Sequence, residues 1–234
     1  MEERYLRTAA LIGEAALEKL KNSTVAVFGI GGVGSYAAEA LARSGIGTLY
    51  LYDNDTVSES NRNRQLVALG STVGRLKTEV AAERIRDIDP DVRVMERPEF
   101  VNPESDIPFE KLDYIIDAVD NVTAKLFLIQ NAMQRGVPII SVMGTGNKLD
   151  PSQLQVSDIF DTYECPLAKV MRSELKKRGI KKLEVVWSPE RPLKSAKTEE
   201  KRVNGRPTPA SMTFVPASAG IMAAARAVKV LINK

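Results

Sequence analysis

The apolar run Thr24-Val25-Ala26-Val27-Phe28 leads directly into Gly29-Ile30-Gly31-Gly32-Val33-Gly34, and an alanine-rich stretch follows. Glycines at this spacing permit a tight turn and close backbone approach. The start of a helix beyond them offers unpaired N–H groups and positive potential to a phosphate. A second apolar run, Thr48-Leu49-Tyr50-Leu51-Tyr52, ends at Asp53, where a carboxylate accepts hydrogen bonds from ribose hydroxyls. In this order the elements point to nucleotide binding; the other reading of the glycines is a purely structural turn.

The residues after Asp53 decide which nucleotide. Asp53-Asn54-Asp55-Thr56-Val57-Ser58-Glu59-Ser60-Asn61-Arg62-Asn63-Arg64-Gln65 carries two arginines, and Lys77 follows. A triphosphate bears about four negative charges and calls for several cations near its β and γ groups. A nicotinamide dinucleotide, the usual ligand of such a glycine turn, would leave them without a purpose. Surface solvation is the alternative for Arg62 and Arg64. Across the expected crevice stand Asp117 and Asp120, at a strand end where one or two carboxylates and phosphate oxygens suit Mg²⁺. For Asp117 alone, a structural role is favoured over metal binding.

The rest of the inventory narrows the chemistry. The 234 residues include no histidine and one cysteine, Cys165. That excludes Ser–His–Asp and Cys–His catalysis, paired-cysteine zinc sites and an internal disulfide. With 44% hydrophobic and 27% charged residues the chain reads as an ordinary globular protein. No apolar run of the length of a membrane span and no leader-like apolar core are expected, so the expected compartment is the cytoplasm and no membrane partner is anticipated. The net charge of +3 is unevenly spread: residues 169–206 hold 13 Lys and Arg against 5 Asp and Glu. Such a stretch can contact nucleic-acid phosphates or form a solvated loop.

These residues must be positioned by alternating strands and helices. The patterns predict a helix over 8–20, strands over 24–28 and 48–52, a helix over 33–43 between them, and a helix over 72–88. Strands over 92–98, 114–119 and 138–143 follow, with a helix over 122–135. A strand-like piece then leads into a C-terminal helix. The fold class is therefore α/β, a doubly wound Rossmann-like, mostly parallel sheet with helices on both faces and a less regular C-terminal extension. Residues 1–145 form the nucleotide-binding part. Residues 146–234 continue the same domain, with a basic flexible loop expected near 188–209.

GIGGVG, DNDTVSESNRNRQ, Lys77 and DAVDN (117–121), in that order, resemble the E1-like adenylating superfamily that includes ThiF and MoeB. The resemblance implies that Asp53 holds ribose, Arg64 and Lys77 bind the triphosphate of ATP, and Asp120 engages Mg²⁺. Asn61 and Gln65 are neighbouring contacts, and Gly29, Gly31, Gly32, Gly34 and Asp55 belong to the same nucleotide-binding set. Arg4-Tyr5-Leu6-Arg7 is similar to an N-terminal segment whose second arginine reaches the partner subunit's nucleotide. Arg7 is thus a candidate catalytic residue in a homodimer, or a solvated arginine; Thr8 departs from the usual Gln.

The absence of paired cysteines separates this chain from the zinc-bearing sulfur-carrier activators. Its length leaves no room for the added domains of ubiquitin activators. GGVGSYAAEALARSGIG, AERIRDIDP, DPSQLQVSDI, CPLAKVMR and FVPASAGIMAAARAVKVLI resemble the tRNA threonylcarbamoyladenosine dehydratase branch. That resemblance implies ATP-dependent cyclisation of N6-threonylcarbamoyladenosine (t6A) at position 37 of tRNA, through adenylation of its carboxylate. Implied partners are tRNA carrying t6A37, a second copy of the chain and a sulfurtransferase-system protein. A monovalent cation, K⁺ or Na⁺, is implied beside ATP and Mg²⁺. The alternative is adenylation of a ubiquitin-fold sulfur-carrier C-terminus. Cys165 is read as a packing thiol.

Overall fold

In the computed structural model, which describes residues 2–194 and 209–233, the sheet is organised around two short, mostly apolar strands. β1 (Thr24–Phe28) and β4 (Tyr114–Asp117) lie side by side at its centre. Both are covered on both faces, as parallel strands of largely apolar sequence require. The order is β3-β2-β1-β4-β5-β7-β6, with β2 at Thr48–Tyr52, β3 at Arg93–Arg97 and β5 at Ile139–Val142. β6 (Gln155–Asp158) is antiparallel to its neighbour β7 (Glu184–Trp187), while the other pairings are parallel.

Helices cover both faces. One core joins α3 (Gly34–Ser44), α4 (Lys77–Ile88) and α7 (Phe214–Ile232) to the sheet. The other joins α5 (Val122–Arg135) and α6 (Pro166–Lys177) to the opposite face, with buried Cys165 packed among them. The chain leaves β1 toward β2 and β3, then returns to β4 and continues the other way. The crevice between the carboxyl ends of β1 and β4 is therefore the switch point at which such sheets bind ligands.

Four segments depart from the sequence expectation. The helix over 8–20 is two helices, α1 (Leu6–Ile12) and α2 (Glu14–Lys21), because Gly13 has φ of 87°. The helix expected from 72 starts at Lys77. Upstream, Val57 N–H donates to the Arg75 carbonyl and Gly74 N–H to that of Val57, so the backbone is already committed to a turn. Residues 211–213 form no strand before α7. At 19 residues and a mean hydropathy of 1.5, α7 also meets the length and apolarity of a membrane span, contrary to expectation. Here it buries Val215, Ala219, Ala223, Ala224, Ala227 and Leu231 in the core.

Of the loop expected near 188–209, residues 195–208 lie outside the described residues. Before it, the buried Lys148 Nζ donates to the Ser188 and Glu190 carbonyls at 2.6 and 2.9 Å. Burial lowers the pKa of that ammonium.

The α3–α7 contact is unusually close. A β-carbon on Gly220 would stand 2.1 Å from the Val33 carbonyl oxygen. Gly220→Ala must push α7 off the start of α3 and is expected to cost about 1–3 kcal/mol, read as a lower urea midpoint.

Candidate active site

A cleft of about 760 Å³ opens over the carboxyl ends of the central strands. Its floor is the glycine turn. Gly29 has φ of 85°, and a β-carbon there would lie 2.8 Å from the Ala118 carbonyl oxygen, so only glycine lets the turn close against the end of β4. Gly34 packs still closer, its absent β-carbon 1.7 Å from the Gly29 carbonyl oxygen. It supports the turn as the first residue of α3 and does not line the cleft. Gly31 and Gly32 do line it. Side chains there would meet Gln65 and Arg64 at ordinary contact distances, 3.7 and 3.4 Å, and would occupy space left for a ligand.

Asp53 fastens this turn to β2. Its Oδ2 accepts from Ile30 N–H at 2.7 Å and its Oδ1 from Asp55 N–H at 2.9 Å. A carboxylate has about four acceptor positions, so capacity remains for hydroxyl donors. Burial, partly offset by Lys77 and these amides, raises the pKa of Asp53. Lys77, buried at the start of α4, donates to Asp55 Oδ2 at 2.7 Å and stands 3.8 Å from Asp53 Oδ1. The Asp55 side chain is 62% exposed, so an incoming anion can displace it readily.

Arg64 donates to the Ser60 carbonyl at 3.0 Å and Asn63 Oδ1 at 2.8 Å. Among the described residues no carboxylate neutralises it. Asn61 Oδ1 accepts from Ser58 N–H at 3.1 Å and holds the short turn that carries Arg64. Gln65 Oε1 and the Tyr52 hydroxyl are buried without hydrogen-bond partners among the described residues, and both residues line the cleft. Unpaired buried polar atoms beside an open glycine cradle fit a polar ligand such as a nucleotide.

The structure brings Gly29, Gly31, Gly32, Asp53, Asp55, Asn61, Arg64, Gln65, Lys77 and Asp120 to this one cleft. Arg62 is turned away and pairs with Glu59. Arg7 is exposed on α1 and does not line the cleft of its own chain. Asp117 is wholly buried in an ion pair with Lys125 at 3.1 Å and is not available as a metal ligand. Asp120 is exposed at the cleft and has no cation partner among the described residues. No cluster of three or more metal-ligating side chains occurs among the described residues. The donor set thus fits a hard cation held by one carboxylate and by phosphate oxygens.

Sequence reading passed over several lining residues. Phe100 presents a half-exposed ring from the segment after β3, and residues 143–146 and Leu167 close the far wall. Gly144 and Gly146, directly after the predicted strand at 138–143, were the available signal; an irregular loop aromatic carries none.

A mostly parallel sheet with a glycine turn at its switch point, and a cleft lined there by a carboxylate at the end of β2 and by Arg64 and Lys77, defines a Rossmann-type nucleotide-binding fold. Residues 4–234 match the ThiF family, and the chain belongs to it. It is 44% identical to the Bacillus subtilis tRNA threonylcarbamoyladenosine dehydratase, over 95% of this chain and 92% of that protein. The fold superposes on the Escherichia coli tRNA N6-threonylcarbamoyladenosine dehydratase TcdA in complex with AMP. The TM-score is 0.90 and the identity 37%, over 99% of this chain and 94% of that one. The ATP complex of that enzyme gives a TM-score of 0.89 at 38% identity, with the same coverage.

The raised pKa of Asp53 has a consequence for stability. The unfolded chain ionises this carboxyl first as pH rises through the ordinary carboxylate range, so stability is lost as pH rises through the folded pKa and the penalty is complete at pH 7. Asp53→Asn keeps a single acceptor oxygen for the Ile30 and Asp55 amides, so it is expected to melt below the parent protein at pH 7, with the deficit widening toward pH 3.5 as the parent sheds its ionisation penalty. Thermal melts across that range check this.

Proposed function

We propose that this chain catalyses the ATP-dependent dehydration of t6A at position 37 of tRNA to its cyclic form. The observation that carries this reading is the end-to-end likeness to enzymes of that activity, 44% identity over 95% of the chain. The cleft supports it by gathering Arg64, Lys77 and Asp120 beside the glycine turn.

In this reading ATP lies with its ribose on Asp53 and its phosphates over the amides of the 29–34 turn. The threonyl carboxylate attacks the α-phosphorus and pyrophosphate leaves. A nucleophilic N–H or O–H group of the same modification then attacks the activated acyl carbon, releases its proton and expels AMP, which carries away one carboxylate oxygen; the ring closes with the nucleoside lighter by one water. Arg64 and Lys77 stabilise charge building on the phosphates, a role that demands fixed cations rather than a proton carrier. Lys77 exchanges the exposed Asp55 for phosphate while Asp53 keeps it in place. Mg²⁺ held by Asp120, when bound, offsets charge on the phosphate oxygens. Because the attacking group is tethered, proximity supplies much of the acceleration, consistent with a chain that has no histidine.

The remaining assignments belong to the same reading. Lys176, Lys177, Lys181 and Lys182 are exposed on and after α6 and supply phosphate contacts for tRNA. The half-exposed Phe214 and Ile221 of α7 suit burial against a second copy, so the working form is a homodimer. Arg7 extends from α1 toward the neighbouring subunit's nucleotide.

Incubation with ATP, Mg²⁺ and t6A-bearing tRNA, followed by nucleoside mass analysis, is expected to yield a product lighter by one water. Its absence under varied salts rejects the reading. Arg64→Ala is expected to lower kcat by about 10²–10³-fold, as for loss of one transition-state donor. Neutralising the four lysines together is expected to weaken tRNA binding and flatten its salt dependence while sparing ATP affinity; filter binding across a salt series and calorimetry measure the two.

A further inference from the structure

Beside the cleft, but not lining it, Lys125 sits completely buried in the first turns of α5. Its Nζ donates to both Asp117 carboxylate oxygens at 3.1 Å, to the Val142 carbonyl at 2.9 Å and to Ser141 Oγ at 3.2 Å. Ser141 Oγ donates to Asp117 Oδ2 at 2.6 Å, and Val119 N–H donates to Asp117 Oδ1 at 3.2 Å. One ammonium thus ties together the end of β4, the end of β5 and the start of α5. Asp117, Lys125 and Ser141 are all 0% exposed.

Replacing a buried ion pair by apolar groups of similar size is often no less stable, so folding stability alone explains this cluster poorly. Its geometry suggests another use. The turn of residues 118–121 carries Asp120 across the mouth of the cleft. Asp117 holds that turn at one end. At the other, Asn121 Oδ1 caps α5 by accepting from Ala124 N–H at 3.0 Å, one residue before Lys125. The Ala118 carbonyl on the same turn is the surface against which Gly29 packs. Held at both ends, the turn has one path between β4 and α5, and Asp120 projects from its middle.

We infer that Lys125 is a positioning residue: with Asp117 and Ser141 it fixes the 118–121 turn so that the Asp120 carboxylate meets the metal on the phosphate tail. This rests on the reading that Asp120 holds Mg²⁺. The inference concerns metal affinity, because Lys125 touches neither nucleotide nor substrate. Removing a group hydrogen-bonded directly to a metal ligand typically lowers metal affinity by roughly 10–100-fold; this cluster acts on Asp120 through the turn, so the lower end of that range is expected.

The test measures ATP affinity by calorimetry on the full-length protein, with Mg²⁺ and with EDTA, in the parent chain, Asp120→Ala, Ser141→Ala and the double variant Asp117→Asn with Lys125→Met. The double variant removes both charges together, and Ser141→Ala removes a single buried oxygen and decides the matter alone if the double variant does not fold. The expected result is metal-free ATP affinity within about twofold of the parent, with the gain from Mg²⁺ reduced roughly tenfold in the double variant and in the same direction in Ser141→Ala. A purely structural role would lower Tm and leave the Mg²⁺ gain intact. An unchanged gain in the folded variants, with Asp120→Ala losing it, overturns the inference and spares the metal assignment. An unchanged gain in Asp120→Ala overturns the metal assignment and the inference with it.

Discussion

The close approach of Gly29 to the Ala118 carbonyl, at the point where β1 and β4 part company, is the constraint on which the site depends. The turn can fold back over the sheet only if residue 29 lacks a β-carbon and adopts a left-handed backbone. Once it does, Ile30 N–H comes within reach of Asp53, and Gly31 and Gly32 line the cleft beside Gln65 and Arg64. The second half of the cleft wall begins on the same carbonyl. Both lips of the crevice are therefore indexed to one backbone contact.

Charge is distributed around that contact by burial. Asp117 is neutralised by Lys125 in the interior, and Lys77 is shared between Asp53 and Asp55 at the edge. Arg64 and Asp120 meet no opposite charge among the described residues, and both face the cleft. In water such charges are indifferent neighbours; in a partly enclosed cleft their fields act on whatever enters. A strongly anionic ligand with its own cation completes the set.

Much of this was legible in the chain. The runs 24–28 and 48–52 are observed as strands with the same ends, and α5 spans the predicted 122–135. Apolar continuity and the glycines at Gly45 and Gly136 carry that information locally. The helix predicted from 72 begins instead at Lys77: Leu76 shares the apolar face of Val80, Ala81, Ile85 and Ile88, while hydrogen bonds to Val57, distant in sequence, hold the residues before it in a turn. The partner of Asp117 was invisible for the same reason: nothing in Lys125 or Ser141 taken singly shows that three chain segments converge. Residue types announced the nucleotide cleft, whereas tertiary contacts decide which carboxylates remain available to it.

The seating of Gly220 on the Val33 carbonyl also bears on how the protein is made. The glycine turn of residues 29–34 precedes α7, the last helix among the described residues, which braces it and contributes Pro216 to the cleft. Emerging from the ribosome, the amino-terminal strands can pair early. The pocket they outline nevertheless stays unfinished until α7 has emerged, so a nascent chain that stops short of it has the fingerprint of a nucleotide binder without the wall that completes it.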